Sequence, residues 1–527
     1  MDGGKVNPGR YDPKVAIIGC GISGLAAAKE LARFNPVVFE ATDSIGGVWK
    51  HCSYHSTKLQ TPRMDYEFSD YQWKDRKNSS FPSHIEILDY LDGYATHFDL
   101  WKFIRFQNKV VEIKHLLLND DVNHSDQYWR RPIGQPIWKI GVEDSSSGGV
   151  KWQEFEFVVM CIGKYGDIAN IPVFPPEKGP GVFNGKVMHS MDYCKLKKEE
   201  TVELLKGKKV VVVGYKKSAI DLALECAQAN AGEEGEPCTM IVRSLHWIVP
   251  SYSIWGLPFF LFFSTRFSQF LYERPNQGFL RSVICNLSDP LRKFVSKFIE
   301  SYLTWKLPLR KYGLKPDHPF LEDYASCQMA ILPDTFFDEA DRGMIRFERP
   351  ASPDWCFWEG GVLLDDGSTK LEADLVLLAT GYDGKAKLKL VLPEPYRGLI
   401  DDPSGVLPLY RGMIHPEIPH MAFVGYIESV SNLHTSELRC KWLSRLLNEQ
   451  IELPSVKTML ERTKEETEIM RRTTRFYKRH CISTYSINHS DEMCEEMGWG
   501  SWRKKGWLSE AFSPYNNQDY IEKQPED

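Results

Sequence analysis

A glycine-rich turn near the N-terminus has a spacing that suits dinucleotide binding. Gly19, Gly21 and Gly24 follow the apolar segment Val15–Ile18 in the pattern G-x-G-x-x-G, and an alanine-rich segment comes next. In a strand–turn–helix unit the first glycine permits a tight turn, the second lets backbone N–H groups approach a pyrophosphate, and the third lets helix and strand pack closely. The following helix then faces the phosphates with the positive end of its dipole. The segment therefore predicts a dinucleotide site.

A carboxylate and a glycine pair beyond this turn indicate which dinucleotide it binds. Glu40 ends the apolar segment Val37–Phe39, 21 residues after Gly19. A carboxylate there accepts hydrogen bonds from ribose hydroxyls and repels a 2′-phosphate, which favours FAD or NAD over NADP. The pair Gly46 and Gly47, followed by Trp49, allows a close passage along a pyrophosphate and a flavin, so FAD is preferred; an ordinary loop around a tryptophan is the alternative. The predicted FAD contacts here are Gly19, Gly21, Ile22, Ser23, Gly24, Glu40, Ala41, Gly47, Val48 and Trp49.

A second, altered turn of the same kind begins at Gly214. Its middle position is Lys216 and its last is Ala219, which replaces glycine at small steric cost. Lys216 and Lys217 either add charge that binds phosphates or record a site that has degenerated. Arg243 ends the next predicted strand, where a cation pairs with a 2′-phosphate and selects NADPH; the alternative is a solvated arginine. The predicted NADPH contacts are Gly214, Lys216, Lys217, Ser218, Ala219 and Arg243.

The elements that must hold these turns read as two domains of related plan. Val15–Ile18, Val210–Val213 and residues 375–379 are apolar throughout, as is typical of parallel strands buried on both faces. Predicted helices at residues 25–32 and 219–227 follow the first two strands. The chain is therefore predicted to be α/β with two Rossmann-like domains. We assign residues 1–180 to an FAD-binding domain, 181–345 to an NADPH-binding domain with a mainly helical, aromatic insertion at about 250–330, and 346–527 to a return to the FAD domain with a helical C-terminal tail.

Composition excludes several other classes of protein. The net charge of −6 offers no basic surface for nucleic acid. The longest apolar run, residues 254–263, is far below the ~20 residues that a membrane-spanning helix needs. The 12 cysteines include no C-x-x-C pair and predict reduced intracellular thiols rather than a zinc site or a disulfide framework. We expect no metal and a cytoplasmic location, with peripheral contact with a membrane left open.

A motif just before the second turn points to a family. It is F-x-G-x-x-x-H-x-x-x-Y, formed by Phe183, Gly185, His189 and Tyr193. By residue type alone, His189 is more often a loop histidine than a catalytic one. As a pattern, the segment resembles the identifying motif of the flavin-containing monooxygenases. Residues 378–383 are similar to the A-T-G-Y element of that family, which implies that Thr380 and Gly381 lie on the FAD side of the site.

The resemblance covers almost the whole chain and is closest to the plant members. Tyr193 stands where related Baeyer–Villiger enzymes have tryptophan, which points to the branch that oxygenates nitrogen and sulfur. Segments 40–49, 58–73, 326–328, 423–442 and 479–484 are similar to the plant enzymes that N-hydroxylate pipecolic acid in systemic acquired resistance. The resemblance implies that NADPH reduces FAD, that oxygen adds at flavin C4a, and that the hydroperoxide oxygenates a small amine or amino acid.

The reactive edge of the flavin is where the chain departs from the family pattern. Animal members have an asparagine there, whereas this chain has Gln60 followed by Thr61. The glutamine offers the same donor and acceptor on a longer arm, so Gln60 and Thr61 are the predicted catalytic residues. A substrate carboxylate needs a cation, and the insertion is predicted to supply a substrate lid with Arg266, Arg274, Tyr252 and Trp255; a packed subdomain or dimer contact is the alternative.

Two other functions are also compatible with the sequence. One is decarboxylation of indole-3-pyruvate or S-oxygenation by a plant flavin monooxygenase, which shares both turns. The other is a non-catalytic nucleotide-binding redox protein, in which Lys216 records the loss of NADPH use.

Overall fold

The computed structural model of the chain describes residues 12–78, 80–116, 129, 135–144, 148–232, 235–352 and 354–522, apart from the side chain of residue 366. The strands are β1 (Val15–Ile18), β2 (Val37–Phe39), β3 (Ile104–Arg105), β4 (Asn108–His115), β5 (Trp138–Asp144), β6 (Val150–Phe155), β7 (Phe157–Met160), β8 (Lys186–His189), β9 (Val210–Val213), β10 (Cys238–Ile241), β11 (Ile248–Val249), β12 (Ser253–Ile254), β13 (Leu257–Pro258), β14 (Ala330–Ile331), β15 (Ile345–Glu348), β16 (Trp355–Trp358), β17 (Gly361–Leu364), β18 (Thr369–Glu372), β19 (Leu375–Leu378) and β20 (Met421–Phe423).

The α-helices are α1 (Ile22–Glu30), α2 (Val48–His51), α3 (His84–His97), α4 (Ser190–Tyr193), α5 (Lys198–Leu205), α6 (Lys217–Ala229), α7 (Phe260–Phe263), α8 (Arg266–Phe270), α9 (Phe279–Leu287), α10 (Asp289–Lys306), α11 (Phe320–Ala325), α12 (Phe336–Asp341), α13 (Gly384–Val391), α14 (Tyr396–Leu399), α15 (Asn432–Leu447), α16 (Val456–Thr473), α17 (Ser486–Glu496) and α18 (Trp507–Phe512).

The first sheet carries the N-terminal glycine turn and has the order β20-β7-β1-β2-β3, with every neighbour parallel. Alternate residues of β1 point to opposite faces: Val15 and Ile17 pack with α1 and α15, whereas Ala16 and Ile18 pack with the antiparallel sheet β4–β5–β6. Both faces are therefore covered, which explains why β1 is apolar at every position.

The second sheet carries the Gly214 turn and has the order β15-β10-β9-β19-β8, again with every neighbour parallel. On one side of β9, Val210 and Val212 pack against α6 and the helical insertion. On the other side, Val211 and Val213 pack against the antiparallel sheet β16–β17–β18. The two sheets confirm the prediction of an α/β fold with two Rossmann-like units.

The return to the first sheet comes later in the chain than residue 346. The strands from β15 to β19 all belong to the second domain. β15 pairs with β10, the apolar strand β19 pairs with β9, and the sheet β16–β17–β18 packs on the same side of β9 as Val211 and Val213. The first sheet is re-entered only with β20. Residues 250–330 form β12, β13 and helices α7 to α11, and α16 begins directly after Ser455.

One pair of cysteines corrects the expectation of reduced thiols throughout. Cys327 and Cys481 form a disulfide between residues 154 positions apart, and the other ten cysteines are free. The two partners belong to the second domain and to the C-terminal segment, which sequence spacing alone does not pair. No helix among the described residues is long and apolar enough to cross a membrane.

Counting thiols tests this disulfide directly. Labelling the denatured protein with a maleimide, without reductant, is expected to add ten labels, because two sulfurs are bonded to each other. Labelling after reduction should add 12, which serves as the control, and peptide mapping should locate the extra labels on Cys327 and Cys481. Twelve labels on protein that was never reduced would contradict the disulfide.

Candidate active site at the junction of the two sheets

The turn between β1 and α1 is built for close backbone approach. Gly19 has a φ of +97°, and a Cβ at this position would lie 2.7 Å from the carbonyl oxygen of Cys161. A Cβ on Gly24 would overlap the carbonyl oxygen of Gly19, so helix and turn touch backbone to backbone. Gly21 is the N-cap of α1, and no side chain caps the helix. The first N–H groups of α1, beginning at Ile22, are thus left for an anion.

The glycine pair Gly46 and Gly47 packs directly against this turn. Gly47 has a φ of +54°, and a Cβ on it would lie 3.2 Å from Cα of Gly21. The two glycine segments leave a passage that is free of side chains, which suits an extended pyrophosphate. Trp49 closes one side and donates from Nε1 to the hydroxyl of Tyr66 at 3.0 Å.

The other predicted FAD contacts lie in or near the same turn. The carboxylate of Glu40 accepts from the backbone N–H of Cys20 at 2.7 Å, which fixes it at the end of β2 beside the turn. Ala41 and Val48 are exposed. Ser23 instead packs inward, with its Oγ 3.0 Å from Oγ of Ser436 on α15. This arrangement fits the ribose and pyrophosphate of FAD.

The second turn keeps the geometry of the first but not its composition. Gly214 has a φ of +137°, and a Cβ there would lie 2.8 Å from the carbonyl oxygen of Ala379 and 3.3 Å from Cβ of Ala219. Ser218 lies in the first turn of α6, which begins at Lys217 and has no side-chain cap. The N–H groups of α6 are therefore free to face phosphates, as they are in α1.

The two lysines of this turn are held by protein groups. Nζ of Lys216 donates to Oε1 of Gln328, and Nζ of Lys217 pairs with Asp221 one helical turn away. Desolvation of the ammonium, followed by repulsion from Arg479, lowers the pKa of Lys216 to about 8. Lys216 thus leans away from the turn toward the C-terminal segment, so the middle position of the turn is not blocked by its side chain.

Arg243 is placed where a 2′-phosphate partner is expected. It follows β10 by two residues and is exposed. Its guanidinium makes no hydrogen bond or ion pair with any residue that the structure describes. The donors of this group are therefore available to a ligand.

The family motif includes β8, the edge strand of the second sheet, and its side chains contact other protein groups. Gly185, directly before β8, packs closely against the backbone of Asp374, since a Cβ on Gly185 would lie 2.5 Å from the Asp374 carbonyl oxygen. Phe183 stacks on Phe357 at 5.9 Å. His189 ends β8, accepts from the backbone N–H of Met191 at 3.1 Å, and has a pKa lowered by burial. The ring of His189 therefore caps the N-terminus of α4, which is a structural role.

The hydroxyl of Tyr193 reveals a residue that sequence analysis missed. It donates to Oε2 of Glu225 on α6 at 2.7 Å. The other oxygen of Glu225 accepts from the backbone N–H of Ser56 at 3.1 Å and from its hydroxyl at 2.6 Å. Ser56 belongs to the FAD domain, so one carboxylate joins the two domains through the motif tyrosine. Glu225 lies in an ordinary amphipathic helix, and no local pattern marks it.

Thr380 and Gly381 also join the two parts of the chain. They follow β19 of the second sheet rather than a strand of the first. Thr380 donates from Oγ1 to the carbonyl oxygen of Asn170 at 2.5 Å, and the carbonyl of Gly381 accepts from Asn170 N–H at 2.9 Å. The turn therefore clamps the two crossing segments between the domains.

A buried ion cluster lies behind the second turn. Glu428, which follows β20, pairs with Lys164 at 2.8 Å and with Arg479 at 2.9 Å, and accepts from the hydroxyl of Tyr165 at 2.5 Å. Burial alone would raise the pKa of Glu428, but the cations Lys164 and Arg479 hold it below its usual value. The cluster acts on Lys216 electrostatically and joins three distant segments, which is why sequence analysis did not find it.

The predicted catalytic loop docks on the second domain. Oε1 of Gln60 accepts from the backbone N–H of Ile331 in β14 at 2.9 Å. Thr61 is buried, and its Oγ1 has no hydrogen-bond partner among the described residues. Gln60 thus serves as a contact between the domains in this structure, and the neighbouring hydroxyl is the group left for a ligand.

The two arginines that were expected to face a substrate carboxylate differ, because the Arg274 side chain makes no hydrogen bond or ion pair with a described residue. Arg266 is held by Asp491 and Glu510 of the C-terminal region, and this pairing removes it from a substrate site. Trp255 stacks on Trp305 at 4.8 Å on the outside of the insertion. These contacts make much of the segment a packed subdomain.

Each parallel sheet carries a glycine turn that leads into a helix without a side-chain cap. Glu40 lies beside the first turn, and Arg243, unpaired among the described residues, lies beyond the second. These features are those of a flavoprotein oxidoreductase that uses FAD and NADPH. A family model described as "FMO-like: Flavin-binding monooxygenase-like" matches residues 12–501. The chain belongs to the flavin-binding monooxygenase-like family, and it is an NADPH-dependent monooxygenase. Membership of this family excludes the non-catalytic interpretation.

Comparison with individual proteins agrees with this membership. The Arabidopsis thaliana protein named "Probable flavin-containing monooxygenase 1" is 60% identical over 510 residues, covering 96% of each chain. Human "Flavin-containing monooxygenase 5" is 27% identical over 506 residues, covering 92% of this chain and 83% of the human one. The OTEMO complex with FAD and NADP has the same fold, with a TM-score of 0.63 at 16% identity over 90% of this chain and 93% of that one.

Replacing Arg243 tests the NADPH assignment. Arg243→Ala is expected to raise the dissociation constant for NADPH about 10- to 100-fold, because a charged hydrogen-bond partner of the 2′-phosphate is lost. The dissociation constant for NADH, which lacks that phosphate, should change little. Arg342→Ala, at the exposed residue that follows α12, is the control. Equal weakening of NADPH and NADH binding would contradict the assignment.

Replacing Tyr193 tests the contact between the domains. Tyr193→Phe leaves the half-buried Glu225 carboxylate with one donor fewer, which is expected to cost about 1 kcal/mol of stability and to slow anaerobic reduction of the flavin by NADPH. Tyr477→Phe is a matched control, since the Tyr477 hydroxyl has no hydrogen bond with a described residue. Unchanged melting temperature and reduction rate in Tyr193→Phe would show that the contact does not hold the domains.

Proposed function

We propose that the enzyme N-hydroxylates a small amine or amino acid, with pipecolic acid as the substrate and N-hydroxypipecolic acid as the product, in plant systemic acquired resistance. The observation that carries the proposal is Tyr193, the residue that distinguishes the N- and S-oxygenating branch from the tryptophan-bearing Baeyer–Villiger branch. The similarity to a plant relative at 60% identity supports a plant role. The segments around Gln60 and Glu428 support the same substrate, because they resemble the plant pipecolate N-hydroxylases.

The protein's part in this reaction is binding, orientation and exclusion of water. FAD and NADPH supply the hydride transfer and the activation of oxygen. Glu40 and the backbone of Gly19–Gly24 hold FAD, while Gly214, the N-terminus of α6 and Arg243 hold NADPH. The hydrogen bond from Ile331 to Gln60 closes the loop of the first domain against the second domain. A closed junction keeps bulk water away from the reacting oxygen.

A cytoplasmic location is part of the proposal. Ten of the 12 cysteines are free thiols and two form the Cys327–Cys481 disulfide; a large share of free thiols is typical of proteins in a reducing compartment. The enzyme then meets its two other reactants, NADPH and molecular oxygen, in solution.

A three-substrate experiment tests the proposal. The purified protein is reduced with NADPH without oxygen, and oxygen is then admitted with pipecolic acid, indole-3-pyruvate or a thioether. We expect rapid anaerobic bleaching of the flavin, followed by a pipecolate product that is heavier by one oxygen atom. Loss of carbon dioxide from indole-3-pyruvate, or a sulfoxide as the only product, would replace the proposal with the corresponding rival activity.

A further inference from the structure

Three polar groups lack partners where the catalytic loop meets the second domain. The hydroxyl of Thr61 is buried without a hydrogen bond, and so is the hydroxyl of Tyr252. Asp65 is half-buried, and its carboxylate makes no hydrogen bond or ion pair with any residue that the structure describes. Buried polar groups are nearly always satisfied in folded proteins. Two such hydroxyls, beside a half-buried carboxylate without a partner, therefore indicate a site for a polar ligand.

Strand pairing brings these groups together. Gln60 is held by Ile331, which pairs with Val249 in the two-stranded sheet of β11 and β14. Three residues beyond Val249 the chain reaches Tyr252. In the first domain, Arg63–Asp65 form a 3-10 turn directly after Thr61 and Pro62. The backbone N–H of Asp65 donates to the carbonyl oxygen of Pro62 at 3.0 Å, which keeps Asp65 near Thr61.

Asp65 lies close enough to Tyr252 to act on its phenol electrostatically. Burial, followed by the negative charge of Asp65, raises the pKa of Tyr252. The phenol therefore stays protonated and keeps a donor near the carboxylate. Phe81 and Phe259 flank the Tyr252 ring at centroid distances of 6.0 and 5.6 Å, which gives the region an apolar, aromatic wall.

The local charges leave one negative charge without compensation. Glu67 is fully buried and uses the nearby cation, Arg76, through a contact of 2.7 Å. Among the described residues, the charged groups that act on Asp65 are therefore Glu67 and the already paired Arg76. Burial, followed by repulsion from Glu67, raises the pKa of Asp65 to about 6. A carboxylate in this position is stabilised by an incoming cation.

We propose that Asp65 and Tyr252 form the binding site for the ammonium group of an amine substrate, with Phe81 and Phe259 around its hydrocarbon body. This assignment rests on the proposed N-hydroxylation and identifies residues that determine its substrate class. A neutral thioether has no positive charge and gains nothing from Asp65, so the site discriminates amines from thioethers.

The same pair solves a chemical problem of N-hydroxylation. A free amine is mostly protonated near neutral pH, and an ammonium has no lone pair with which to attack oxygen. In the site the ammonium N–H bond breaks, an O–H bond forms on the Asp65 carboxylate, and the electron pair stays on nitrogen. Desolvation favours the neutral acid and amine over two buried charges, so the transfer needs no other reactant.

Replacing the carboxylate by an amide of the same size tests the assignment. In Asp65→Asn we expect the dissociation constant for pipecolic acid, measured by perturbation of the oxidised flavin's absorbance with NADP⁺ bound, to rise about tenfold or more. kcat/KM for pipecolic acid should fall at least as much, while kcat/KM for thioanisole stays within about twofold. Tyr252→Phe should weaken amine binding by a smaller factor.

The controls separate this assignment from the proposed function. Asp89→Asn, an exposed carboxylate on α3, should change neither substrate. Unchanged pipecolate binding in Asp65→Asn, or an equal loss with thioanisole, would overturn the assignment of Asp65. Wild-type protein that binds pipecolic acid through Asp65 but never oxygenates it would instead overturn the proposed function alone. Absence of pipecolate binding to the wild type would overturn both.

Discussion

Backbone must meet backbone at two turns, and much of the structure follows from this constraint. At the first turn a side chain on Gly24 would overlap the carbonyl of Gly19, and the pair at Gly47 lies against Gly21. The same closeness recurs between Gly214 and Ala379. At both turns the following helix has no side-chain cap, so its first N–H groups are available to an anion. The parallel sheets, apolar on both faces, hold each turn at the end of a buried strand.

The two turns are useful only if their sheets are held at a defined distance, and single polar groups do this. Glu225 joins Tyr193 to Ser56, Ile331 joins β14 to Gln60, and Thr380 joins β19 to Asn170. Each contact satisfies a buried or partly buried group, so moving the domains apart leaves a donor or acceptor unpaired. The family motif is thereby explained mechanically, because its tyrosine is a joint between domains rather than an acid or a base.

Lys216 shows how an apparent defect in a motif is accommodated. Its backbone performs the role that a glycine usually has, while its side chain leaves the turn for Gln328. Gln328 is the neighbour of Cys327, whose disulfide partner Cys481 follows Arg479 by two residues. The altered turn, the disulfide and the ion pairs of Glu428 therefore form one connected region between the NADPH site and the C-terminal segment.

The sequence by itself determined the two strand–turn–helix units and the two cofactors, because these depend on residues that are close along the chain; the roles of Glu40 and Arg243 stay predictions. β1, β2 and β9 lie where their apolar patterns predicted them. Tertiary structure alone decided the return of the chain after β19, the Cys327–Cys481 pair, the contacts of Glu225, and the pairing of Arg266 with Asp491 and Glu510. Each of these joins residues far apart in sequence, and such contacts depend on how whole elements pack rather than on any local pattern of residue types.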